Sequence, residues 1–190
     1  MVLEGTERDL VEACQRGDRE AFRALFELHK DRVYSIALRY SGAPADAMDI
    51  AQDAFLKLFS CLRGFRGDSR LDTFLYRVVV NRCLDQKRKE WRLLPLRGEL
   101  TAVLRAGGAS PSQQLLRNEV STLVQSAVEK LTPELRMVVV LRYTEGLAYD
   151  QIARVLACSP GTVASRLNRA HKLLEKRLSF LAREQGGTNL

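Results

Sequence analysis

From Phe22 onward, apolar side chains return every three or four residues, and almost every segment of the chain repeats that spacing. It puts the apolar groups on one face of an α-helix. Phe22, Leu25, Phe26, Val33, Ile36, Ala37 and Tyr40 carry it first, and Ser41 and Gly42 stop it. From Pro44 to Leu62 it returns in Ala47, Ile50, Ala51, Ala54, Phe55, Leu58 and Leu62, and from Leu71 in Phe74, Leu75, Val78 and Val79. Thr6 with Asp9 resembles a capping box opening a short helix that ends near Gly17, and Asp18 is placed to cap the next one. The pattern dissolves over 93–118, where Pro95, Gly98, Gly107, Gly108, Ser110 and Pro111 leave room for a turn or two of helix at "ELTAVLR". A stretch of that length without firm structure is unusual inside one compact domain. The spacing therefore predicts an all-α chain of two small helical domains, 1–92 and 119–190, joined by a flexible linker over 93–118.

Charge narrows what such a chain meets. The formal charge is +7 and the pI about 9.5, which suits an acidic partner, either nucleic acid or an anionic membrane surface. It is also clustered: residues 73–92 hold six basic and two acidic side chains, and 160–183 hold six and one. The rest of the chain is net negative. Two separated basic helices suggest two contacts with one long polyanion. No apolar run approaches the roughly 20 residues of a membrane span. The acidic, polar start "MVLEGTERDLVEACQRGDRE" is unlike a signal peptide, so the chain is expected to stay in the cytoplasm. Cys14, Cys61, Cys83 and Cys158 lie far apart, without the paired spacing of a zinc or thioredoxin-like site, and read as reduced, mostly packed thiols.

The most informative motif is "LAYDQIARVLACSPGTVASRLNRAHKLLEKRL". Ile152, Ala153 and Leu156 pack a first helix, "ACSP" turns the chain, and Ser159 caps a second helix that begins at Pro160. Val163, Leu167, Ala170 and Leu174 form its inner stripe, leaving Thr162, Ser165, Arg166, Arg169 and Lys172 outward. That is the pattern of a helix-turn-helix, whose second helix needs short polar and guanidinium groups near its start to reach base edges. Ahead of it, "TPELRMVVVLRYTEG" opens a helix with Thr132 as cap and Pro133 at its first position. The helix from Pro44 has a different outer face: Asp46, Asp49 and Asp53, spaced three and four apart, read by themselves first as a solvated surface, and after that as a metal site or a docking surface for a basic partner.

In their order, four stretches resemble the extracytoplasmic-function group of bacterial RNA polymerase sigma factors over nearly the whole chain. "DAMDIAQDAFLKLF" resembles its polymerase-docking helix, "FRGDSRLDTFLYRVVVNRCLDQKRK" its promoter-melting loop and helix, "LTPELRMVVVLRYTEGLAYDQIA" the opening of its C-terminal domain, and "CSPGTVASRLNRAHKLL" its recognition helix. The resemblance implies a region 2-like N-terminal domain and a region 4-like C-terminal domain. It implies that Asp46, Asp49, Gln52 and Asp53 dock on the polymerase clamp helices, and that the helices around 135–141 are open to the polymerase flap. Asn81 with the loop Phe65, Arg66, Asp68 and Ser69 would hold a flipped base of the minus-10 element, and Arg77, Arg82, Lys87 and Arg88 its backbone. A melted strand offers base faces and phosphates to such a mixture of aromatic, amide and basic groups. Phe74, in the same stretch, reads as packing. The minus-35 element would be read as duplex by Thr162, Ser165, Arg166 and Arg169, with Ser159 and Lys172 beside them. The implied partners are core RNA polymerase, promoter DNA as duplex and melted strand, and an anti-sigma factor acting in trans, because the chain ends soon after the basic helix at "EQGGTNL". No cofactor, metal or catalytic group is implied, since a sigma factor supplies promoter specificity to an enzyme and is not one.

Ala164 departs from the family, whose members often carry Lys or Arg after "GTV". Two other readings compete. A conventional helix-turn-helix regulator binding duplex DNA alone leaves the acidic helix and the basic aromatic helix without a task. A nucleic-acid enzyme would lack H-E-x-x-H and G-x-x-x-x-G-K motifs and have only His29 and His171, on separate helices. Its one foothold is a carboxylate metal site at Asp46, Asp49 and Asp53.

Overall fold

The computed structural model describes residues 2–65, 67, 70–93 and 113–185, and the side chains of 7–65, 67, 70–86 and 120–179. Among the described residues there are eight helices and no strand: α1 (Val2–Gln15), α2 (Arg19–Ser41), α3 (Pro44–Leu62), α4 (Leu71–Leu93), α5 (Gln113–Glu129), α6 (Pro133–Tyr143), α7 (Tyr149–Leu156) and α8 (Pro160–Gln185). The boundaries follow local chemistry. Asp18 Oδ1 accepts from the amides of Glu20 and Ala21 at 2.9 and 3.2 Å, satisfying donors that the first turn of α2 leaves open. Gly42 ends α2 in the left-handed region at φ +79, and its amide donates to Leu38 O. A β-carbon there would also meet the carboxylate end of the Glu129 side chain of α5, which would have to swing aside, so it is the backbone angle that calls for glycine. The start of α1 differs from expectation: the helix runs from Val2, so Thr6 and Asp9 lie inside it rather than opening it.

α1 to α4 pack as one bundle around Leu25, Val33, Ile36, Tyr40, Leu58 and Leu62, with every predicted apolar position of α3 buried. α5 to α8 pack as a second bundle around Met137, Leu141, Ile152, Val163 and Leu167. The two are in contact, α2 against α5 and α6, and α4 against α6 and α7, and the buried residues of both form one continuous cluster. This contact widens the buried surface of α4 beyond its predicted stripe: Tyr76, Val80 and Cys83 are buried as well. The stretch expected to be a flexible linker lies outside the described residues from 94 to 112, and helix α5 begins at Gln113.

One buried charge sits where the bundles meet. Arg136 of α6, 6% exposed, donates to Tyr40 O at 2.8 Å, to Glu129 O and to Leu131 O, and its guanidinium lies 5.3 Å from the Tyr40 ring centroid. A guanidinium has five donors and cannot lose its charge, which suits carbonyls at helix ends that have no amide of their own. Arg136→Ala removes the donor and leaves those carbonyls in a dry site. The expected loss of stability is about 2–4 kcal/mol, read as a lower urea midpoint with helix content retained at zero denaturant.

Candidate polymerase and nucleic-acid interfaces

The acidic residues of α3 stand on its outer face. Asp49, Gln52 and Asp53 are exposed and Asp46, in the first turn, is half-buried. Among the described residues no ion pair engages Asp49 or Asp53. Beside them lies a feature that periodicity alone concealed. Phe26, expected to be core, is 36% exposed, and together with Phe22, Tyr34, Phe55, Leu56 and Phe59 it lines an open apolar groove between α2 and α3. Two edge-to-face pairs build its floor, Phe22 with Phe59 at 4.7 Å and Phe26 with Phe55 at 4.6 Å. Met48 and Leu56 stand 60% and 63% exposed at its lip, and Arg19, Arg23 and Lys30 line its other side. Apolar side chains gathered this way mark a surface that meets another molecule. Helical spacing predicted that these positions share a face; it could not show that none of the described helices covers them.

On α4, Arg77 and Asn81 are exposed and Arg82 is half-buried. The side chains of Lys87 and Arg88 lie outside the described residues, as do Arg66, Asp68 and Ser69 of the preceding loop. Phe65 is described: its ring packs at 4.9 Å on Phe74, and its carbonyl accepts from Gln15 Nε2 at 2.6 Å, tying the loop to α1. Phe74 is thus a packing residue, as expected. Arg77 Nε donates 3.1 Å to the carbonyl of Arg154 in α7.

The helix-turn-helix is α7, a turn and α8. The turn depends on Ala157, whose left-handed φ of 49 ends α7 and lets Cys158 N bond back to Ala153 O at 3.0 Å. Ser159 then caps α8, accepting from Thr162 N at 3.1 Å and sharing a 2.9 Å hydroxyl contact with Thr162 Oγ1. Val163, Leu167 and Ala170 are buried and Leu174 is half-buried; on α7, Ile152 and Ala153 are buried, Leu156 packs half-buried against the core as expected, and Val155 is buried as well. Ser159, Ser165, Arg169 and Lys172 are exposed, and Thr162 and Arg166 are half-buried along the same outer face. On the other side of α8, Tyr143 Oη contacts His171 Nε2 at 2.7 Å, joining α6 to the recognition helix.

Titratable groups gather between α1, α2 and α4. His29 is 3% exposed, with Nε2 3.5 Å from Glu7 Oε1, and ligand atoms of Glu7, His29 and Asp72 lie within 4.8 Å of one another. This group suits a cation poorly, because Asp72 already accepts from the Arg32 guanidinium at 2.8 Å, whose charge would face the ion. Burial holds His29 below its usual pKa of 6.5, with Asp72 opposing and Arg32 adding to the shift. Burial likewise pushes the Cys83 thiol up to about 12, and none of the four cysteines is paired.

The family described as sigma-70 region 2 matches residues 25–93, and that described as sigma-70 region 4 matches residues 121–174. The RNA polymerase sigma-H factor of Pseudomonas aeruginosa is 34% identical over 192 residues, covering 97% of this chain and 100% of that protein. The ECF RNA polymerase sigma-E factor of Escherichia coli K12 is 34% identical over 187 residues, covering 94% and 97%. Among solved structures, CnrH in complex with the cytosolic domain of CnrY superposes with a TM-score of 0.68 at 25% identity, over 92% of this chain and 97% of that one.

The histidine makes stability depend on pH with a definite sign. The unfolded chain takes up a proton on His29 as pH falls through about 6.5. The folded chain does so only at lower pH, so the stability is full above 6.5 and falls as pH drops toward the lowered native value. The urea midpoint of the wild type should therefore decline between pH 7.5 and 5.5. His29→Phe should flatten that part of the decline.

Proposed function

The chain belongs to the extracytoplasmic-function group of RNA polymerase sigma factors, and we propose that its two halves divide promoter selection between them: residues 1–92 dock on core polymerase and recognise and melt the minus-10 element, 119–190 read the minus-35 element, and 93–118 link them. As a sigma factor it binds core RNA polymerase and directs promoter recognition and transcription initiation. Its relatives are specificity subunits rather than catalysts, and nucleotidyl transfer belongs to the polymerase. Among the described residues no helix is long and apolar enough to cross a membrane, and the proposed place of action is the cytoplasm, with the polymerase.

The observation that supports this division best is the outer surface of α3, where exposed Asp49, Gln52 and Asp53 adjoin an open apolar groove. Carboxylates give such a surface orientation and encounter rate, while the aromatic groove supplies affinity. Asp46, Asp49, Gln52 and Asp53 are accordingly the residues for the polymerase clamp helices, and the α6 region is the one for the flap. An anti-sigma factor would compete for this surface by laying an amphipathic segment into the groove. For the minus-10 element, Phe65, Arg66, Asp68, Ser69 and Asn81 hold the base, and Arg77, Arg82, Lys87 and Arg88 hold phosphates. For the minus-35 element, Thr162, Ser165, Arg166 and Arg169 face the major groove, with Ser159 and Lys172 at the backbone. Small polar groups at the start of α8 with guanidinium groups behind them match what base edges and then phosphates require. A conventional regulator binding duplex DNA alone gives the α3 surface no occupant.

Two measurements test the division. Asp49→Arg combined with Asp53→Arg should reduce co-purification with bacterial core polymerase more than tenfold without changing the unfolding midpoint. Unimpaired binding would remove α3 as the docking helix. Separately, Arg88→Ala should impair promoter opening more than first contact with duplex, and Arg169→Ala should weaken upstream recognition. Each should lower the salt slope by about one unit. Equal effects of both changes on every promoter tested would count against divided roles.

A further inference from the structure

A single side chain of α1 reaches the loop between α3 and α4. Gln15, the last residue of α1, is half-buried, and its Nε2 donates to Leu62 O at 3.2 Å and to Phe65 O at 2.6 Å. Both partners are carbonyls, so only the nitrogen end of the amide can face them, and its two protons serve one each. Leu62 is the last residue of α3, and its carbonyl already accepts from Phe65 N at 3.1 Å. Capping α3 therefore does not account for Gln15. The shorter of its two bonds passes beyond the helix, to the first of the loop residues proposed for the minus-10 base.

The donor is itself held in place. After Gln15 the chain turns with Gly17 in the left-handed region at φ +91, where Gly17 N donates to Cys14 O at 3.0 Å and Asp18 N to Ala13 O at 3.1 Å. Asp18 then caps α2, so the residue that grips the loop sits at a junction fixed on both sides. Val11 and Cys14 of the same helix are buried in the first bundle. At the other end of the contact, the Phe65 ring packs on Phe74 of α4 at 4.9 Å. Phe65 is thus tied by its carbonyl to α1 and by its ring to α4, and residues 66–70, which lead into α4, start from a fixed point.

Resting on the sigma-factor reading, we propose that Gln15 is a positioning residue for the minus-10 pocket: it touches no DNA, and its amide sets the start of the loop so that the pocket stands ready before a base arrives. A base that leaves the duplex gives up its stacking and pairing, and a pocket whose backbone must be ordered on arrival adds a second cost. Hydrogen bonds that order the backbone beforehand remove that second part. α1 thereby takes part in promoter opening, although none of its residues is among those proposed for DNA or polymerase.

The test compares the full-length wild type with Gln15→Leu, which nearly keeps the size of the side chain and cannot donate, and with Gln15→Lys, which restores donors at a similar reach. In Gln15→Leu the amides of Gly64 and Phe65 should exchange hydrogen about tenfold faster, with the interior amides of α2 and α3 unchanged. On a duplex promoter selected from a random-sequence library by the wild-type holoenzyme, Gln15→Leu with core polymerase should form about three- to tenfold fewer heparin-resistant open complexes. Its affinity for core polymerase, and that of its holoenzyme for the upstream half of the promoter, should stay at the wild-type level. Gln15→Lys should recover most of both losses. Faster exchange throughout the first bundle, which loss of stability alone would produce, would overturn the proposal. So would unchanged exchange in the loop, wild-type opening by Gln15→Leu, or a Gln15→Lys protein as impaired as Gln15→Leu. Failure of the wild type to bind core polymerase would sink the sigma-factor reading, while exchange in the loop still judges whether Gln15 holds it.

Discussion

The guanidinium of Arg136 is the point on which the arrangement of helices depends. α2 and α5 end close together, and each helix end presents carbonyls without amide partners and a partial negative charge. Two such ends repel and neither can satisfy the other. Arg136, near the start of α6, enters between them and gives donors to Tyr40 O, Glu129 O and Leu131 O at once. A lysine has fewer donors and no planar fork, and a neutral side chain would leave the dipoles opposed. Gly42 ends α2 there in the left-handed region, and the Glu129 carboxylate lies in the space beside it. Once α6 is fixed on α2 in this way, the short connection through Glu145 and Gly146 sets α7 against α4.

What the sequence made legible was local. The caps at Asp18, Gly42 and Ser159 depend on a side chain and amides two or three residues away, and they stand where the residue types indicated. The buried stripe of α3 was readable because a helix packed on one side repeats its apolar positions faithfully. The same rule failed for α4, whose Tyr76, Val80 and Cys83 are buried by a second surface arriving from far along the chain. It failed in the opposite direction for Phe26, apolar at the right spacing and yet left in an open groove. Arg136 and Glu145 gave no signal, because a lone charge in a helix or loop looks the same in sequence whether it meets water or a buried carbonyl. The DNA-facing candidates were legible in another way again. Composition marked the basic segments, but the roles of Arg66, Asp68, Ser69, Lys87 and Arg88 come from the family pattern.

The distribution of charge and apolar surface keeps the acidic and basic groups of α3, α4 and α8 on separate faces. α3 turns its apolar stripe inward, against α2 and α4, so its carboxylates point away from the basic helix that follows. Were those carboxylates on the side of α4, they would neutralise Arg77 and Arg82 and repel the phosphates those residues suit. The exposed Arg169 and Lys172 of α8 lie likewise opposite its buried Val163, Leu167 and Ala170. The helical period, which decides what is buried, thereby also decides that the acidic face of α3 and the basic face of α4 are kept apart.

The contact between the halves is of a kind that can be undone. Its specific interactions are polar: Tyr76 with Glu145, Arg77 with the Arg154 carbonyl, Gln125 Nε2 with Arg39 O at 3.2 Å, and Arg136 with Tyr40 O. Each such bond contributes on the order of 1 kcal/mol net, because water replaces the lost partner when it opens. On separation Arg136 keeps its bonds to Glu129 O and Leu131 O within its own half, and the Tyr40 carbonyl turns to solvent. Each half also keeps its own large buried side chains, Tyr40, Leu25 and Leu58 in one and Met137, Leu141 and Leu167 in the other. The same contact also joins the two cores into one continuous buried cluster, so opening it costs apolar burial as well as hydrogen bonds. A partner opens the contact only if it binds the separated halves better than the closed pair, which requires it to reach surfaces on both halves at once.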